Sequence, residues 1–378
     1  MPAQLEHPRV KEQAAAGGLP RIHDATTPGR IASLDGLRAI SILMVVLGHA
    51  LTTVKPLPSA DWVQPLLGIL LNVGHTGVSI FFVISGFLIT TLLLKERERT
   101  GSISIRNFYI RRSFRIWPAF FVYVAVVALL TASGALAITR RELAAASLFI
   151  WNYVPDAQAW ELTHTWSLSV EEQFYLAWPL CVRLMNRRRV AIFATVLIVV
   201  LPLVRVLTYV TAPTLEERIA IRSMTHTRAD TLMFGALLAI LWTSPRFNAW
   251  LARLFRLHAH TIAAVYLFLV RPLFDRNSFT LPFGYTLDGI AVVLLLAYTT
   301  RMPHSGIGRV LNSRLFVHVG LISYSLYLWQ QLFSNAAGGA FNVPFPLNMV
   351  CAFVAAELSY FVVEKTFLRL RQRVAPNA

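Results

Sequence analysis

The chain is short of charge, and shorter still of acid. Only 14% of its 378 residues are charged, against about 25% in an ordinary soluble domain, and 19 Asp and Glu stand against 35 Lys and Arg. It has two cysteines, Cys181 and Cys351, each inside an apolar stretch and far from the other. That excludes a disulfide framework and a thiolate metal site, and leaves both thiols as inert packing. Residues 1–33 lack the apolar core and small-residue cleavage site of a signal peptide, so they are expected to form a disordered cytoplasmic tail. No internal repeat is evident, nor any low-complexity stretch beyond the tail.

What the chain has is apolar sequence. Hydrophobic residues make up 56% and the mean hydropathy is +0.56, concentrated at 34–54, 74–94, 116–137, 166–185, 190–210, 229–244, 261–275, 284–300, 315–334 and 347–364. Runs of this length match a hydrocarbon core ~30 Å thick. The expected fold is all-α: a polytopic integral membrane protein of about ten transmembrane helices. In a soluble protein the formal charge of +16 would suggest nucleic acid. Here the basic residues sit at the ends of apolar runs and read as topology determinants, with membrane lipid as the partner. Alternating the connections puts 25 Lys and Arg on one side and 9 on the other, with Arg38 inside the first run, so both termini are expected to be cytoplasmic. The apolar stretch 143–153 is too short to cross at 1.5 Å per residue and is expected to be re-entrant or interfacial. The layout is a tail over 1–33, a transmembrane domain over 34–367 and a cytoplasmic tail over 368–378. No soluble domain follows the last run, so the bundle and its loops are expected to carry all the chemistry.

An ionisable residue inside a span is costly unless paired or wet, which makes each one a functional candidate. The first span holds Asp35, Arg38 and His49. Asp35 and Arg38 are an i,i+3 pair; eleven residues at 100° bring Arg38 and His49 onto one face, about 16 Å apart in depth. This stripe reads either as a cation below a titratable imidazole, or as a snorkelling Arg and a His bonded to a neighbouring helix. Arg111, Arg112 and Arg115 precede Trp117–Pro118; Arg112 and Arg115, three apart, suit phosphate oxygens as well as a topology anchor. His164 stands at the entry of the span carrying Glu171 and Glu172, whose carboxylates diverge by about 100°, so that one faces an interior partner. Arg228 and Asp230 open another span, as acceptor-pocket residues or as a local ion pair. His75 lies at the mouth of a span whose Gly74, Gly77 and Gly86 favour close helix crossing. Tyr324 belongs to a row of hydroxyls suited to joining helices. His75, His164, Arg228, Asp230 and Tyr324 are the acceptor-side candidates, and no metal site is expected.

These motifs together resemble the membrane-bound acyltransferase-3 family of O-acetyltransferases. The matching segments are LDGLRAISILMVVLGH, similar to the family's Arg-x10-His signature, then GVSIFFVISGFLI, NFYIRRSFRIWP with its Arg-x-x-Arg, TWSLSVEEQFYLAWP, RADTLMFGALLA, SYSLYLWQ and ELSYFVVEKTF. In that order they cover residues 33–367. The resemblance implies an acyl group, usually acetyl on cytoplasmic coenzyme A, passed to a hydroxyl on the outer side of a bacterial inner membrane. The acceptor would be a cell-surface glycan, a glycolipid or a secreted metabolite. It makes His49 the catalytic histidine, Arg38 its partner, Arg112 and Arg115 the donor-side pair, and Glu171 the family carboxylate; Asp35, three residues before Arg38, is expected to fix its rotamer. Acetyl-CoA is a donor substrate rather than a resident cofactor. Two departures fall at the expected acceptor end: Gln330–Gln331–Leu332 where relatives often carry His-Trp-Pro, and Glu364–Lys365–Thr366 in place of E-x-P. A transporter would also bury Asp, Glu, His and Arg, but predicts inverted repeats.

Overall fold

A computed structural model describes residues 32–54, 63–154, 156–335, 341 and 343–374. The expected tail, up to residue 31, and positions 375–378 lie outside the described residues. Among those described the chain is all-helical, without a strand. The main helices are Ala32–Leu51, Gln64–Thr100, Ile105–Ala132, Thr165–Leu184, Arg187–Thr211, Thr225–Leu241, Pro245–Arg256 with the bent continuation to Leu273, Tyr285–Arg301, Arg314–Gln330, and Leu347–Ser359 running on to Val374. Except for Pro245–Arg256, which falls between two runs, they overlie the expected runs, with the largest discrepancies at Gln64, Ile105 and Val374, where helix continues past the apolar stretch. The stretch 143–153 is a short helix, Arg140–Ser147, followed by a turn at Trp151–Tyr153.

By length and composition six helices can cross a membrane, and a seventh if the pair bent by 67° at 256–259 is one span. Three segments counted among the ten expected crossings fall outside that number for physical reasons. Thr225–Leu241 and Arg314–Gln330 have only 17 residues each, and Thr165–Leu184 carries Glu171, Glu172 and several hydroxyls. The outward faces read as lipid-facing: Leu203, Leu207 and Val210 on one helix are 63–67% exposed, a continuous apolar surface that water does not tolerate. Arg205 on the same helix is fully buried.

Small residues bring the inner helices together, because apolar burial gives little drive to associate inside lipid. A Cβ on Gly86 would lie 1.9 Å from the Leu232 carbonyl oxygen, and one on Gly235 would lie 1.9 Å from that of Val83. Gln64–Thr100 and Thr225–Leu241 therefore touch backbone to backbone, as the glycines in the first of these helices predict. Gly86→Ala forces the pair apart; a loss of about 1–3 kcal/mol is expected, seen as a lower thermal midpoint in detergent without a change in helix content.

Side-chain bonds gather the basic connections at one end. Ser33 donates to the Thr299 carbonyl (3.0 Å), and Arg301 to Asn248 (2.7 Å). Arg187 reaches Thr243 (2.6 Å) and Glu98 (3.4 Å), and Arg97 donates to the Met185 carbonyl (2.9 Å). Arg111 pairs with Glu96 at 2.8 Å, and Phe114 packs on Phe367. The opposite end holds His49, Trp160, His164 and Gln330. Asn348 donates there to the Ala50 carbonyl at 3.1 Å.

Candidate active site

His49 closes the first helix, where its Nδ1 lies 3.0 Å from Gln330 Oε1. An amide oxygen only accepts, so Nδ1–H donates and the lone pair falls on Nε2. Gln330 is itself fixed by donating through Nε2 to Gln331 Oε1 at 3.0 Å. Gln331 and Trp160 exchange two bonds: Trp160 Nε1 donates to the Gln331 carbonyl and Gln331 Nε2 to the Trp160 carbonyl, both 3.0 Å. The Trp160 ring meets the imidazole edge-on at 5.5 Å between centroids. The amide pair and indole thus set both tautomer and ring orientation. The departure at Gln330 bears directly on the first-span histidine, whereas sequence reading assigns it to the acceptor end, because one helical stretch supplies both.

His164, 2% exposed, sits edge-on between Tyr123 (5.5 Å) and Tyr327 (5.3 Å) and within electrostatic range of His49. It borders, through Tyr327, the same turn of Arg314–Gln330 that carries the partner of His49.

Deeper toward the basic end lies a cluster of three arginines and three glutamates. The Arg112 guanidinium stacks 3.6 Å from the Tyr175 ring centre and faces Glu171 and Glu172. Arg38 faces Glu171 and Glu364, and Arg115 faces Glu364. The Nε atoms of Arg38 and Arg112 are buried without a hydrogen-bond partner among the described residues. Glu171 takes a 2.5 Å bond from Ser85, whose hydroxyl also meets Tyr175 at 2.8 Å; Glu172 accepts from Trp117 Nε1 at 3.3 Å. Glu171 thus bonds inside the bundle, whereas Glu172 bonds the 45%-exposed Trp117, in keeping with the divergence expected of adjacent carboxylates. Glu171 belongs with Arg112 and Arg38, not with His49, because it lies about two turns along its helix from His164. Arg112 and Arg115 turn to different carboxylates rather than standing side by side. Tyr324 donates to the Ile116 carbonyl at 3.0 Å and lies near Glu172 and Glu364, which puts it in this inner layer beside the glutamates. Asp35 is buried at the same end, its carbonyl pressed against Gly320.

The remaining candidates form a separate network. Asp230 pairs with Arg205 at 3.1 Å, both side chains fully buried. Arg228 does not pair with it, since residues two apart diverge on a helix. Its guanidinium lies 3.5 Å from the Tyr285 ring centre, with Nη2 3.4 Å from Ser79 Oγ. Arg271 pairs with Asp288 (3.1 Å) and Asp275 (3.2 Å), Arg222 with Asp275 (3.0 Å), and His75 stands 3.7 Å from Asp275. Burial pushes the Asp275 carboxyl up, yet His75, Arg222 and Arg271 hold it well below the usual range. Arg205, Arg271 and Asp288 were legible as ionisable residues inside apolar runs, but sequence reading passed over them. Among the described residues no group of three or more His, Cys, Asp or Glu is placed to hold a metal ion.

A cleft of about 760 Å³ opens beside the His49 layer, walled by Gly134–Ala137, Arg141, Glu142, Asp156, Trp160, Glu161 and Asn335. Trp160 lines the cleft and touches His49. Its rim is shaped by Glu142, which caps Arg140–Ser147 with Thr139 and accepts from the Gln158 and Ala159 amides, both at 2.8 Å. Burial pushes this carboxyl up, but the bonds from Thr139, Ala159 and Gln158 outweigh it and hold it below its ordinary 4.5. A depressed folded value means that the contribution is present above about pH 4.5 and is lost as pH falls through the folded value. Glu142→Gln is therefore expected to cost on the order of 1 kcal/mol at pH 7, and the gap between variant and parent should close in acid. Thermal midpoints measured across pH 3 to 7 check this; a gap independent of pH would refute it.

Comparison with known proteins gives a consistent picture. A family model described as "Acyltransferase domain" matches residues 31–363. A Staphylococcus aureus (strain COL) protein named "Putative O-acetyltransferase" is 29% identical over 365 residues, covering 89% of this chain and 57% of its own length. The "O-acetyltransferase OatA" of S. aureus strain NCTC 8325 / PS 47 is 27% identical over 371 residues, covering 91% and 58%. The chain thus spans a little over half the length of these curated relatives. No solved structure matches. The described residues 32–54 and 314–335, which bring His49 to Gln330, lie within the matched region, and the chain belongs to the family that this acyltransferase-domain model describes.

Proposed function

We propose that this protein is a membrane-bound O-acyltransferase of a bacterial cell membrane that moves an acyl group, acetyl in the first instance, from cytoplasmic acyl-coenzyme A to a hydroxyl on the opposite side. The acceptor class is a surface glycan, a glycolipid or a secreted metabolite. Three features support it. The basic end takes the cytoplasmic side. Arg38 and Arg112, each with an unengaged buried Nε, receive the anionic donor and its thioester arm while Glu171 and Glu364 hold them in place. The cleft beside Trp160 admits the hydroxyl-bearing acceptor.

The observation that carries the reading is the anchored imidazole. With Nδ1–H fixed on Gln330, Nε2 of His49 takes the proton of the acceptor hydroxyl as its oxygen bonds to the thioester carbon. The tetrahedral centre collapses, the carbon–sulfur bond breaks, and the imidazolium returns the proton to the thiolate. Products are an ester and free coenzyme A, and His49 is regenerated. About 16 Å along the helix separates Arg38 from His49, the depth the donor arm has to reach.

The test uses membranes bearing the chain and acetyl-coenzyme A labelled in the acetyl group, with label followed into extractable glycan and lipid. Arg112→Ala, matched for expression, is expected to raise the donor KM at least tenfold, one bidentate-class contact, while His49→Ala lowers turnover by about two to four orders of magnitude. Label incorporation indifferent to both would overturn the reading.

A further inference from the structure

Acyl transfer needs a hydrogen-bond donor where negative charge develops on the carbonyl oxygen, and the assignment above leaves that role empty. His164 has the unexplained donor. Both of its ring nitrogens are buried with no hydrogen-bond partner among the described residues, although the ring is only 2% exposed. The hydroxyls nearest to it are committed elsewhere. Tyr123 donates to the Glu161 carbonyl at 2.6 Å, and Tyr327 donates to the backbone carbonyl of His164 at 3.0 Å. Ser167 Oγ lies 2.7 Å from the Tyr327 hydroxyl and 3.3 Å from the same carbonyl. A structural imidazole this deep would be expected to bond one of these groups, since buried polar atoms left unpaired cost stability.

Its position is equally specific. The ring packs on Tyr327, one turn before Gln330, the residue that fixes His49. The Tyr327 carbonyl also receives a bond from Gln330 Nε2 (3.5 Å). Two imidazoles from different helices therefore border one turn of a third, next to the Trp160 side of the cleft.

We propose that His164 is a second catalytic residue whose imidazole N–H donates to the acyl oxygen as it becomes an oxyanion during attack at the carbon beside His49. This rests on the acyl-transfer reading. No bond to His164 is made or broken; the donor lends a hydrogen bond while the acceptor oxygen adds and returns to its resting state when the thiolate leaves. Such a contact strengthens only in the transition state, so its loss falls on kcat rather than on substrate binding.

The experiment uses the full chain in detergent, acetyl-coenzyme A as donor and methyl glucoside as soluble acceptor, with release of free thiol as the readout and thermal midpoint measured alongside. His164→Phe is expected to cut kcat about 10²- to 10³-fold, to leave the KM for both substrates within about twofold, and to hold or raise the thermal midpoint. His164→Gln, which keeps an N–H donor, is expected to recover at least part of the lost rate. A His164→Phe enzyme that turns over like the parent overturns the proposal alone. So does a thermal midpoint that falls steeply in both variants, or a loss confined to KM. A parent that releases no thiol overturns the acyl-transfer reading and this proposal with it.

Discussion

His49→Ala is expected to lower acyl transfer by roughly 10²–10⁴-fold, the range a positioned general base contributes, while leaving the protein folded. Among the described residues the side chain makes one hydrogen bond, to Gln330 Oε1, and one ring contact, to Trp160, so its loss removes little packing there. Gln330→Leu separates tautomer control from the base itself. It leaves the imidazole in place but frees Nδ1, and the population with the lone pair on Nε2 is no longer imposed. An intermediate loss, about tenfold to a hundredfold, is expected, because orientation and protonation state are weakened rather than abolished. Labelled acetyl-coenzyme A read against matched expression checks both variants. The same assay divides two chemistries at Nε2. If His49 first takes the acyl group onto its own nitrogen, the parent protein carries acid-labile label that the alanine variant lacks; direct base catalysis leaves the protein unlabelled. Equal transfer by parent and His49→Ala would remove the mechanism altogether.

How far the site was legible in the sequence depends on whether one helix or several compose it. The Arg38 and His49 stripe was legible because periodicity on a single helix fixes a shared face, and the helix Ala32–Leu51 contains both. The glycine contacts were legible for the same reason: small residues in a bulky helix mark a crossing, and Gly86 meets the backbone at Leu232. What periodicity cannot supply is the partner across a gap. Nothing along one helix shows that Glu171 bonds Ser85 and faces Arg112 and Arg38. Depth along a second helix depends on where that helix enters the bundle, which the short helical turn Trp160–Thr163 before Thr165–Leu184 sets here. In the sequence Gln330 stands out as a departure at the expected acceptor end, and only the register of Arg314–Gln330 against the first helix shows that it holds the imidazole. Arg205, Arg271 and Asp288 carried a usable signal, an ionisable residue inside an apolar run, and all three are fully or almost fully buried.

Arg205→Met is expected to be among the most destabilising single changes in the bundle, by about 3–5 kcal/mol, because it strands a buried carboxylate. Arg205 Nη1 lies 3.2 and 3.1 Å from the two oxygens of Asp230 and 2.6 Å from the Thr227 carbonyl, and Nε donates to the Leu281 carbonyl at 2.6 Å. One guanidinium thus ties Arg187–Thr211 to Thr225–Leu241 and to the turn at Thr280–Gly284. Asp230→Leu leaves the cation unpaired and should cost a similar amount. The double change Arg205→Met with Asp230→Leu removes both charges together, and should recover most of the loss from the single changes, since a buried ion pair gains little net energy over apolar side chains of similar volume. Thermal midpoints of the four proteins in one detergent give the coupling. The same four proteins decide what Asp230 is for. An acceptor-binding carboxylate would leave the double variant stable but unable to transfer, with a raised acceptor KM; a purely structural pair would give back transfer together with stability. Full burial of both side chains and the absence of either from the cleft wall beside Trp160 favour recovery of both.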